Sequence, residues 1–395
     1  MTRDQTMTEL APRTTTSDDV LAAAGALAPT IAARAADTEA ARRVPADLLA
    51  ELIDAGCFRI ALPVSHGGVG ADLVTAMRLF EAVAAADGST GWTVMIGAAA
   101  WVDLAGLPRA TFDDLFAGRD DVIVAGAFNP MGASIAATDD GRYRVDGRWG
   151  FASGCEHATW LFGNCVEGVV DGVPQLRIAV FSPDEIAIED TWHVSGLRGT
   201  GSHHFRADGV VVAAERTVVP LAGEPCVDAP IARVHTPALI ALAVGSVALG
   251  IAKGALDDIV DLAAGKMPLL AGAPLAASPQ FQYDLAVADA EVRAARSLLH
   301  DTARSLWQSA VDGTEVSLVD RARVRAAGVW AAGRATAAVD AAYRAGGGSS
   351  LYTDSPLQRR LRDVHTLTQH FIVRPDTLTT AGAILAGQDV HVMVF

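Results

Sequence analysis

The sequence predicts a mainly α protein with a central β domain: an N-terminal α-helical domain, a middle β-barrel or sandwich domain and a C-terminal four-helix bundle. Apolar residues recur at three- and four-residue spacing near both ends of the chain, as they do on helices. Between these regions, short apolar runs alternate with turn residues, which is typical of hairpins. We place the domains at 20–120, 121–225 and 226–395, after a disordered lead-in at 1–19.

The first domain is predicted from three amphipathic segments, Leu21–Ala36, Pro45–Ala55 and Leu73–Ala86. The lead-in before them is rich in Thr, Ser and Asp and lacks the apolar segment of a signal peptide. The four cysteines contain no C-x-x-C pair, which fits a reducing compartment. We therefore expect a cytoplasmic protein.

The middle domain is predicted from short runs with β-forming residues. These runs are Val122–Ala125, Arg142–Val145, Trp160–Phe162, Leu176–Phe181 and Val210–Val212. The dipeptides Asp140-Gly141 and Asp171-Gly172 predict tight turns between strands.

The last domain is predicted from four long helical periodicities. They cover Leu239–Ala264, Pro279–Val311, Ser317–Ala345 and Pro356–Ile372. Four such helices in succession indicate an antiparallel bundle. The apolar run Ala238–Ala252 is shorter than the roughly 18 residues that a membrane span needs, so we interpret it as a buried core helix.

The composition excludes several classes of protein. The net charge is −15, which disfavours binding to nucleic acid or to an anionic membrane. Hydrophobic residues make up 51% of the chain and aromatic residues only 6%, so Ala, Val, Leu and Gly carry the apolar content. Such a composition favours helices that pack closely.

Two segments in the middle domain combine small polar residues with aromatic ones. In Arg148–His157, Phe151 precedes Ser153-Gly154, which predicts a hydroxyl and exposed backbone N–H groups beside aromatic surface, suited to a flat heteroaromatic ligand. A plain strand–turn–strand with buried rings is the alternative. The segment Thr191–His204 is rich in Gly, hydroxyls and His, and is either a ligand loop or a polar connection between strands. Its adjacent histidines lack further ligands at metal-site spacing, so we expect no metal.

The last predicted helix carries three arginines near its start: Arg359, Arg360 and Arg362. Asp363 can pair with only one of them, so the others are solvated or bind a carboxylate or a phosphate. His365 and His370 lie five residues apart and therefore do not chelate one ion together.

Together these segments resemble the acyl-CoA dehydrogenase superfamily, and within it the branch of two-component, reduced-flavin-dependent (group D type) monooxygenases. The resemblance runs from about Pro45 to Gly387. The segments that carry it are Leu62-Pro63 with Gly67–Gly70, Gly88–Trp92, Phe151–Cys155, Trp192 with Gly196–Ser202, and Gln358 through Asp363 to His370.

A missing carboxylate decides between the branches. The resemblance implies that a dehydrogenase would place a Glu base either after the last Arg-Asp pair or in an early bundle helix. Here Glu315 is the last Glu, Leu239–Lys253 contains no acid, and the position after Arg362-Asp363 falls near His370. The monooxygenase branch is therefore favoured. An acyl-CoA dehydrogenase with FAD and an unusual base, and a non-catalytic ligand-binding member, stay as alternatives.

For the favoured branch, the resemblance implies that reduced flavin and O₂ form a C4a-(hydro)peroxyflavin that hydroxylates a small aromatic, polycyclic or nitrogen-containing substrate. FMN is favoured over FAD, because no adenine-binding element is apparent in the sequence. The implied catalytic residues are Ser153, at the N5/O4 edge of the flavin, and His370, beside C4a. An imidazole with a pKa near the working pH would suit this task.

The resemblance also implies the remaining site residues. The cofactor-binding set is Trp92, Asn129, Phe151, Ser153, Gly154, Lys266, Gly347 and Arg359. Lys266 is the nearest match to the cation that would bind the flavin phosphate from an adjacent subunit. The substrate-binding set is Arg198, Ser202 and His203.

The implied assembly is a homotetramer, a dimer of dimers, with flavin between the β domain and the bundle. A separate NAD(P)H:flavin reductase would supply the reduced flavin, since this chain shows no Rossmann βαβ segment for a nicotinamide. We expect no nucleic-acid or membrane partner.

Overall fold

The computed structural model describes residues 15–270 and 272–390, which form helices, then strands, then helices along the chain. The predicted fold class, mainly α with a central β domain, is confirmed. The first five helices are α1 Ser17–Ala41, α2 Ala46–Asp54, α3 Leu73–Ala86, α4 Gly88–Ala99 and α5 Arg109–Phe116.

The start of α1 corrects the predicted lead-in at 1–19. Thr16 caps this helix: its Oγ1 accepts the N–H of Asp19 at 3.2 Å, and Asp19 Oδ2 accepts the N–H of Thr16 at 2.9 Å. This reciprocal capping fixes the first turn, so residues 17–19 are helical and not disordered. Residues 1–14 of the predicted lead-in lie outside the described residues.

Helix α4 runs through the interior and contacts α3, the strand Val124–Ala127 and the long helix Thr236–Gly265. Its N-terminus is capped by Asp87, whose Oδ2 accepts hydrogen bonds from the N–H and the hydroxyl of Thr90 at 2.8 and 2.7 Å. Asp87 is only 2% exposed, and this burial raises the pKa of its carboxyl group. The helix therefore begins at a fixed place deep in the protein.

The central domain is one mixed sheet of eight strands in the order β6-β7-β3-β2-β4-β5-β8, with β1 parallel to β4. The strands are β1 Val124–Ala127, β2 Ser134–Ala137, β3 Tyr143–Ala152, β4 Trp160–Val170, β5 Val173–Phe181, β6 Ala187–Glu189, β7 His203–Val212 and β8 Thr217–Val218. The predicted turn at Asp171-Gly172 joins β4 to β5, and both residues have the positive φ that a two-residue hairpin turn needs. Trp149 stacks on Phe205 in the core, with ring centroids 4.8 Å apart.

The C-terminal helices pack around α6, which contacts α7, α8 and α9. They are α6 Thr236–Gly265, α7 Pro279–Asp312, α8 Leu318–Gly346, α9 Pro356–Leu367 and α10 Asp376–Leu385. The predicted helix Pro356–Ile372 is wrong at its end, because α9 stops at Leu367. His370 Nδ1 accepts the N–H of Ile372 at 3.3 Å, and this local bond accompanies a short 3₁₀ turn in place of further α-helix.

Helix α6 contains the apolar run that was predicted to be a buried core helix, and 89% of its most apolar window is buried. By length and composition alone, α1 and α6 are each long enough to cross a membrane. Glycine lets α6 approach α3, since a Cβ on Gly250 would lie 2.4 Å from the carbonyl oxygen of Glu81. The chain has few aromatic residues and many small ones, and small residues such as Gly250 allow its helices to pack closely.

Gly250→Ala should destabilise the protein by about 1–3 kcal/mol, because the added methyl group would collide with the backbone of α3. The matched control is Gly333→Ala in α8, where a Cβ would meet nothing within 4 Å. The control should leave stability unchanged or raise it by up to about 1 kcal/mol. Thermal unfolding measures both effects, and equal melting temperatures for the two variants would contradict the close packing of α3 on α6.

Candidate functional site

A β-bulge at the end of β3 turns one ring outward and one hydroxyl inward. The pairing of β3 with β7 shifts register between Trp149 and Ala152. Phe151 lies in this bulge with a φ of 64°, a backbone conformation that bulky residues rarely adopt. The Phe151 side chain is exposed, whereas Ser153 is only 7% exposed. The strained bulge therefore delivers Ser153 to the interior.

The backbone N–H groups at this turn are not free, which corrects the expectation of exposed donors. The N–H of Ser153 donates to the carbonyl of Phe151 at 3.0 Å, and the N–H of Gly154 donates to the carbonyl of Thr200 at 2.8 Å. Gly154 has a φ of 72°, so glycine is needed here for the turn itself. The Ser153 hydroxyl is then the polar group that this turn can offer to a ligand.

That hydroxyl belongs to a continuous run of hydrogen bonds. Trp92 Nε1–H, on α4, donates to Ser153 Oγ at 2.9 Å, and Ser153 Oγ lies 2.7 Å from Ser202 Oγ. Ser202 Oγ lies 2.6 Å from Thr200 Oγ1, and Thr200 donates to the carbonyl of Leu197 at 2.8 Å. We call Trp92, Ser153, Ser202 and Thr200 the hydroxyl series. It connects the helical domain, the end of β3 and the loop before β7.

The loop at the far end of the hydroxyl series is held by two side chains from other elements. The N–H of Leu197 donates to Asp363 Oδ1 of α9 at 2.6 Å. The N–H of Gly199 donates to Ser89 Oγ of α4 at 3.2 Å. These bonds fix the loop against the N-terminal end of α4 and against the bundle.

Asp363 is a buried carboxyl group, 4% exposed. Its pKa is raised to about 7, mainly by burial and also by the charge of Asp87, whereas the Leu197 N–H and Arg359 act in the opposite direction. Arg359, predicted to bind the cofactor, therefore lies near a buried acid of this chain. Its contact with a flavin stays a prediction.

The other arginines of α9 find carboxylates within the protein. Arg360 Nε donates to Asp258 Oδ2 at 2.6 Å, and Arg362 pairs with Glu39. The sequence left open whether these arginines are solvated or bind a carboxylate or a phosphate. The structure shows that Arg360 and Arg362 each pair with a carboxylate of the protein.

His370 lies beside Trp92, with ring centroids 5.5 Å apart. Because His370 Nδ1 accepts the N–H of Ile372, the proton of the neutral ring sits on Nε2. Burial, and to a smaller extent Arg325, lowers the pKa of His370 to about 4. This corrects the expectation of a pKa near the working pH: the imidazole is neutral there. No hydrogen bond within the described chain engages Nε2, so His370 presents one neutral N–H donor.

Phe151 and Asn129 are both exposed. Phe151 has ring centroid distances of 6.3 Å to Trp192 and 6.0 Å to His204, which makes an aromatic rim. Asn129 is exposed, and its Oδ1 accepts the N–H of Met131 at 3.2 Å. No hydrogen bond among the described residues brings Asn129 to the hydroxyl series.

Lys266 and Gly347 meet each other at the C-terminal end of α8. Lys266 Nζ donates to the carbonyl of Gly346 and, at 2.8 Å, to Ser349 Oγ. A Cβ on Gly347 would lie 3.8 Å from Lys266 Nζ. In the described part of the chain, no hydrogen bond or ion pair links Lys266 to the hydroxyl series. A phosphate contact for this pair stays a prediction.

The three residues predicted to bind substrate make contacts within the protein. Ser202 is part of the hydroxyl series and is 3% exposed. His203 is buried, and its Nδ1 accepts the N–H groups of Thr191 and Trp192, both at 3.2 Å. Arg198 is partly exposed. Their contact with substrate stays a prediction.

A cavity of about 300 Å³, which was not predicted from the sequence, lies beyond the C-terminal end of α4. Its walls include Val102, Asp103, Ile178, Val218, Leu221 and His235. Asp103 accepts the Thr236 hydroxyl at 3.1 Å, and burial raises the pKa of Asp103 to about 7. None of the residues of the hydroxyl series lines this cavity, so the cavity is separate from the series. Asp103, an acid within an apolar stretch of the sequence, was the signal that could have indicated this cavity.

Known proteins share this fold over nearly the whole chain. Residues 20–106 match the family model "Acyl-CoA dehydrogenase, N-terminal domain", and residues 242–375 match "Acyl-CoA dehydrogenase, C-terminal domain". The chain is 30% identical over 357 residues to an indole-3-acetate monooxygenase of Pseudomonas putida, covering 90% of each protein. It is 33% identical over 365 residues to the oxygenase component of an FADH₂-dependent resorcinol hydroxylase of Rhizobium sp. (strain MTP-10005), covering 88% of each. The crystal structure of the HsaA monooxygenase from M. tuberculosis is similar with a TM-score of 0.88 at 27% identity, over 96% of this chain and 100% of that one.

Fold and relatives agree on an acyl-CoA dehydrogenase-like flavoprotein. The chain belongs to the acyl-CoA dehydrogenase family, and within it to the branch of flavin-dependent monooxygenases. The site agrees with this branch: in the described chain, none of the side-chain hydrogen bonds or ring contacts of Ser153, Trp92 and His370 involves a carboxylate. No carboxylate base therefore contacts these three side chains in the described chain.

The residues present fit the edge of a flavin. Ser153 Oγ keeps one hydrogen-bonding position after its two contacts within the hydroxyl series, and His370 Nε2–H is a donor without a partner in the described chain. The Phe151 ring, which the bulge turns outward, makes no ring contact with Trp92 or His370 in the described chain, and its contact with a flavin stays a prediction. A hydroxyl, an imidazole N–H and the buried Trp92 ring between them suit the polar edge and the planar ring system of an isoalloxazine.

Asp363→Asn should change how stability depends on pH. The Asp363 carboxyl ionises with a pKa of about 7 in the folded protein and 3.8 ordinarily, so the folded state binds more protons between these values. Wild-type stability should therefore fall relative to Asp363→Asn as pH rises from 4 to 7, by about 2–4 kcal/mol.

Denaturant unfolding at several pH values measures this difference. The control is Asp376→Asn, which removes an exposed carboxylate and should shift stability by about 0.5 kcal/mol or less. A stability difference between wild type and Asp363→Asn that does not vary between pH 4 and pH 7 would contradict the buried, proton-binding Asp363.

Proposed function

We propose that this chain is the oxygenase component of a two-component monooxygenase that hydroxylates an aromatic substrate beside Ser153, Trp92 and His370. The observation that carries the proposal is the neutral His370 imidazole, which offers its Nε2–H beside Trp92 where a dehydrogenase would need a carboxylate. Relatives named for indole-3-acetate and for resorcinol support an aromatic substrate.

Reduced flavin, when bound, supplies the electrons that activate O₂ for transfer of one oxygen atom. The protein's task is to hold the flavin edge and to keep hydrogen peroxide from leaving before substrate is oxidised. We assign the holding contact to Ser153 Oγ. We assign a hydrogen bond toward oxygen to His370 Nε2–H, because a neutral imidazole donates without releasing a full proton, and proton release would favour loss of peroxide. The buried Trp92 wall helps to exclude water.

We propose reduced FAD as the flavin, in place of the FMN favoured by the sequence. The relative that is 33% identical is named FADH₂-dependent, which supports this choice. The same name describes an oxygenase component, so the reduced flavin would come from a separate reductase that uses NAD(P)H.

The proposed assembly is a homotetramer, a dimer of dimers, in which Lys266 and Gly347 of one subunit contact the flavin phosphate held by another. Large apolar side chains close to Lys266 in sequence support an interface here: Leu269 is 93% exposed and Leu270 is 98% exposed in the single chain. A cytoplasmic location is also proposed, and it is supported by the four free cysteines.

His370→Ala should release hydrogen peroxide about tenfold faster than wild type when the protein loaded with reduced FAD meets O₂ without substrate. The expected factor reflects the loss of one hydrogen bond from a neutral donor, about 1–1.5 kcal/mol. His370→Gln keeps a neutral N–H donor and should restore part of the effect. The matched control is His365→Ala, which removes an exposed histidine whose Nε2 lies 2.9 Å from Asp340 Oδ1.

Stopped-flow absorbance and a peroxide assay follow the reaction, with indole-3-acetate and resorcinol as trial substrates in parallel. Equal peroxide release from His370→Ala and His365→Ala would remove His370 from the proposed role. Oxidation of reduced flavin at the rate of free flavin, with no hydroxylated product, would favour a non-catalytic protein, and reduction of an artificial acceptor by acyl-CoA would favour a dehydrogenase.

A further inference from the structure

We infer that Thr200 and Ser202 are positioning residues that fix the Ser153 hydroxyl as a hydrogen-bond acceptor toward the flavin, so that the site selects reduced over oxidised flavin. The inference rests on the proposed function, which places the flavin edge at Ser153. It is carried by the direction of the hydroxyl series, which runs from Trp92 to the carbonyl of Leu197.

Both ends of the series have a fixed role. The indole N–H of Trp92 can only donate, and it lies 2.9 Å from Ser153 Oγ. The carbonyl of Leu197 can only accept, and it lies 2.8 Å from Thr200 Oγ1. Two oxygen atoms so close, with no proton between them, would repel each other. The hydroxyl of Thr200 therefore donates its proton to the carbonyl of Leu197.

The inner contacts follow from that end. Because Thr200 donates its only hydroxyl proton to the Leu197 carbonyl, the 2.6 Å contact between Ser202 and Thr200 requires Ser202 to donate. Ser202 then has no proton left for Ser153, so the 2.7 Å contact between them requires Ser153 to donate. A hydroxyl has one proton and two acceptor positions. Ser153 thus uses its proton inside the protein, accepts from Trp92, and keeps one acceptor position.

Burial protects this direction from water. Thr200 is 1% exposed and Ser202 is 3% exposed, so a hydroxyl that turned away would lose its partner where water cannot replace it. The loop cannot easily move either, because Asp363 holds the N–H of Leu197 at 2.6 Å.

The two redox states of a flavin differ at the atom that Ser153 would meet. In reduced flavin N5 carries a hydrogen and donates, whereas in oxidised flavin N5 is a bare acceptor. If the Ser153 oxygen can only accept, it forms a hydrogen bond with N5–H of reduced flavin. With oxidised flavin, a lone pair of Ser153 Oγ would face the lone pair of N5, and the two would repel each other. One hydrogen bond gained in only one state corresponds to about a tenfold difference in affinity. Such a site would take flavin from a reductase and release it after oxidation.

The test measures the dissociation constants of reduced and oxidised flavin for the full-length protein under anaerobic conditions, with FAD and FMN each as a probe. Thr200→Val removes one hydroxyl at nearly constant shape, and Ser202→Ala breaks the series beside Ser153. Each should free Ser153 to donate and lower the ratio of oxidised to reduced dissociation constants about tenfold. Thr200→Ser should keep the wild-type ratio. Ser246→Ala, which removes a buried hydroxyl in α6, is the control.

A wild-type ratio near one, or an unchanged ratio in both Thr200→Val and Ser202→Ala, would overturn the inference and leave these residues a structural role. Should Thr200→Val fail to fold in a thermal unfolding check, the ratio for Ser202→Ala decides. Wild-type protein that binds neither flavin in either state would instead refute the proposed function, and the inference with it.

Discussion

The hydrogen bond from Trp92 Nε1 to Ser153 Oγ is the contact on which the site depends, because it ties α4 of the helical domain to the bulged end of β3. The same indole ring lies against His370, which follows α9 of the bundle. One side chain therefore joins three regions of the chain and sets the spacing of the two polar groups. Its burial, at 5% exposure, makes that spacing rigid.

Hydrogen bonds between neutral groups, and not charges, dominate this site. His370 is neutral near pH 7 because of its burial, and the hydroxyl series contains no ionisable group. The charged residues nearby have structural partners: Asp87 caps α4, and Arg360 pairs with Asp258. Such a site can bind reactive oxygen by hydrogen bonds without offering a strong acid, whose proton would favour loss of hydrogen peroxide.

The long helices were predictable from sequence, because α6 and α7 each carry an apolar periodicity over many turns. Helix α4 was not placed by periodicity, since nearly all of its residues are buried and no polar face contrasts with an apolar one. The end of α9 was missed because the competing bond from His370 to Ile372 is a local detail that spacing does not reveal.

For the site, the resemblance singled out Ser153 and His370, and the structure brings both into contact with Trp92. The neutral state of His370 could not be predicted, because it depends on burial by distant segments of the chain and on Arg325. The link from Ser153 to Ser202 joins residues 49 positions apart, so only the folded loop reveals it.

The most direct measurement is a crystal structure of the protein grown anaerobically with reduced FAD. We expect flavin N5 to lie within hydrogen-bond distance of Ser153 Oγ, about 2.7–3.2 Å, with His370 Nε2 facing the same edge of the ring. An isoalloxazine bound elsewhere, such as in the cavity beside Asp103, with Ser153 and His370 free of it, would contradict the flavin site proposed for this protein.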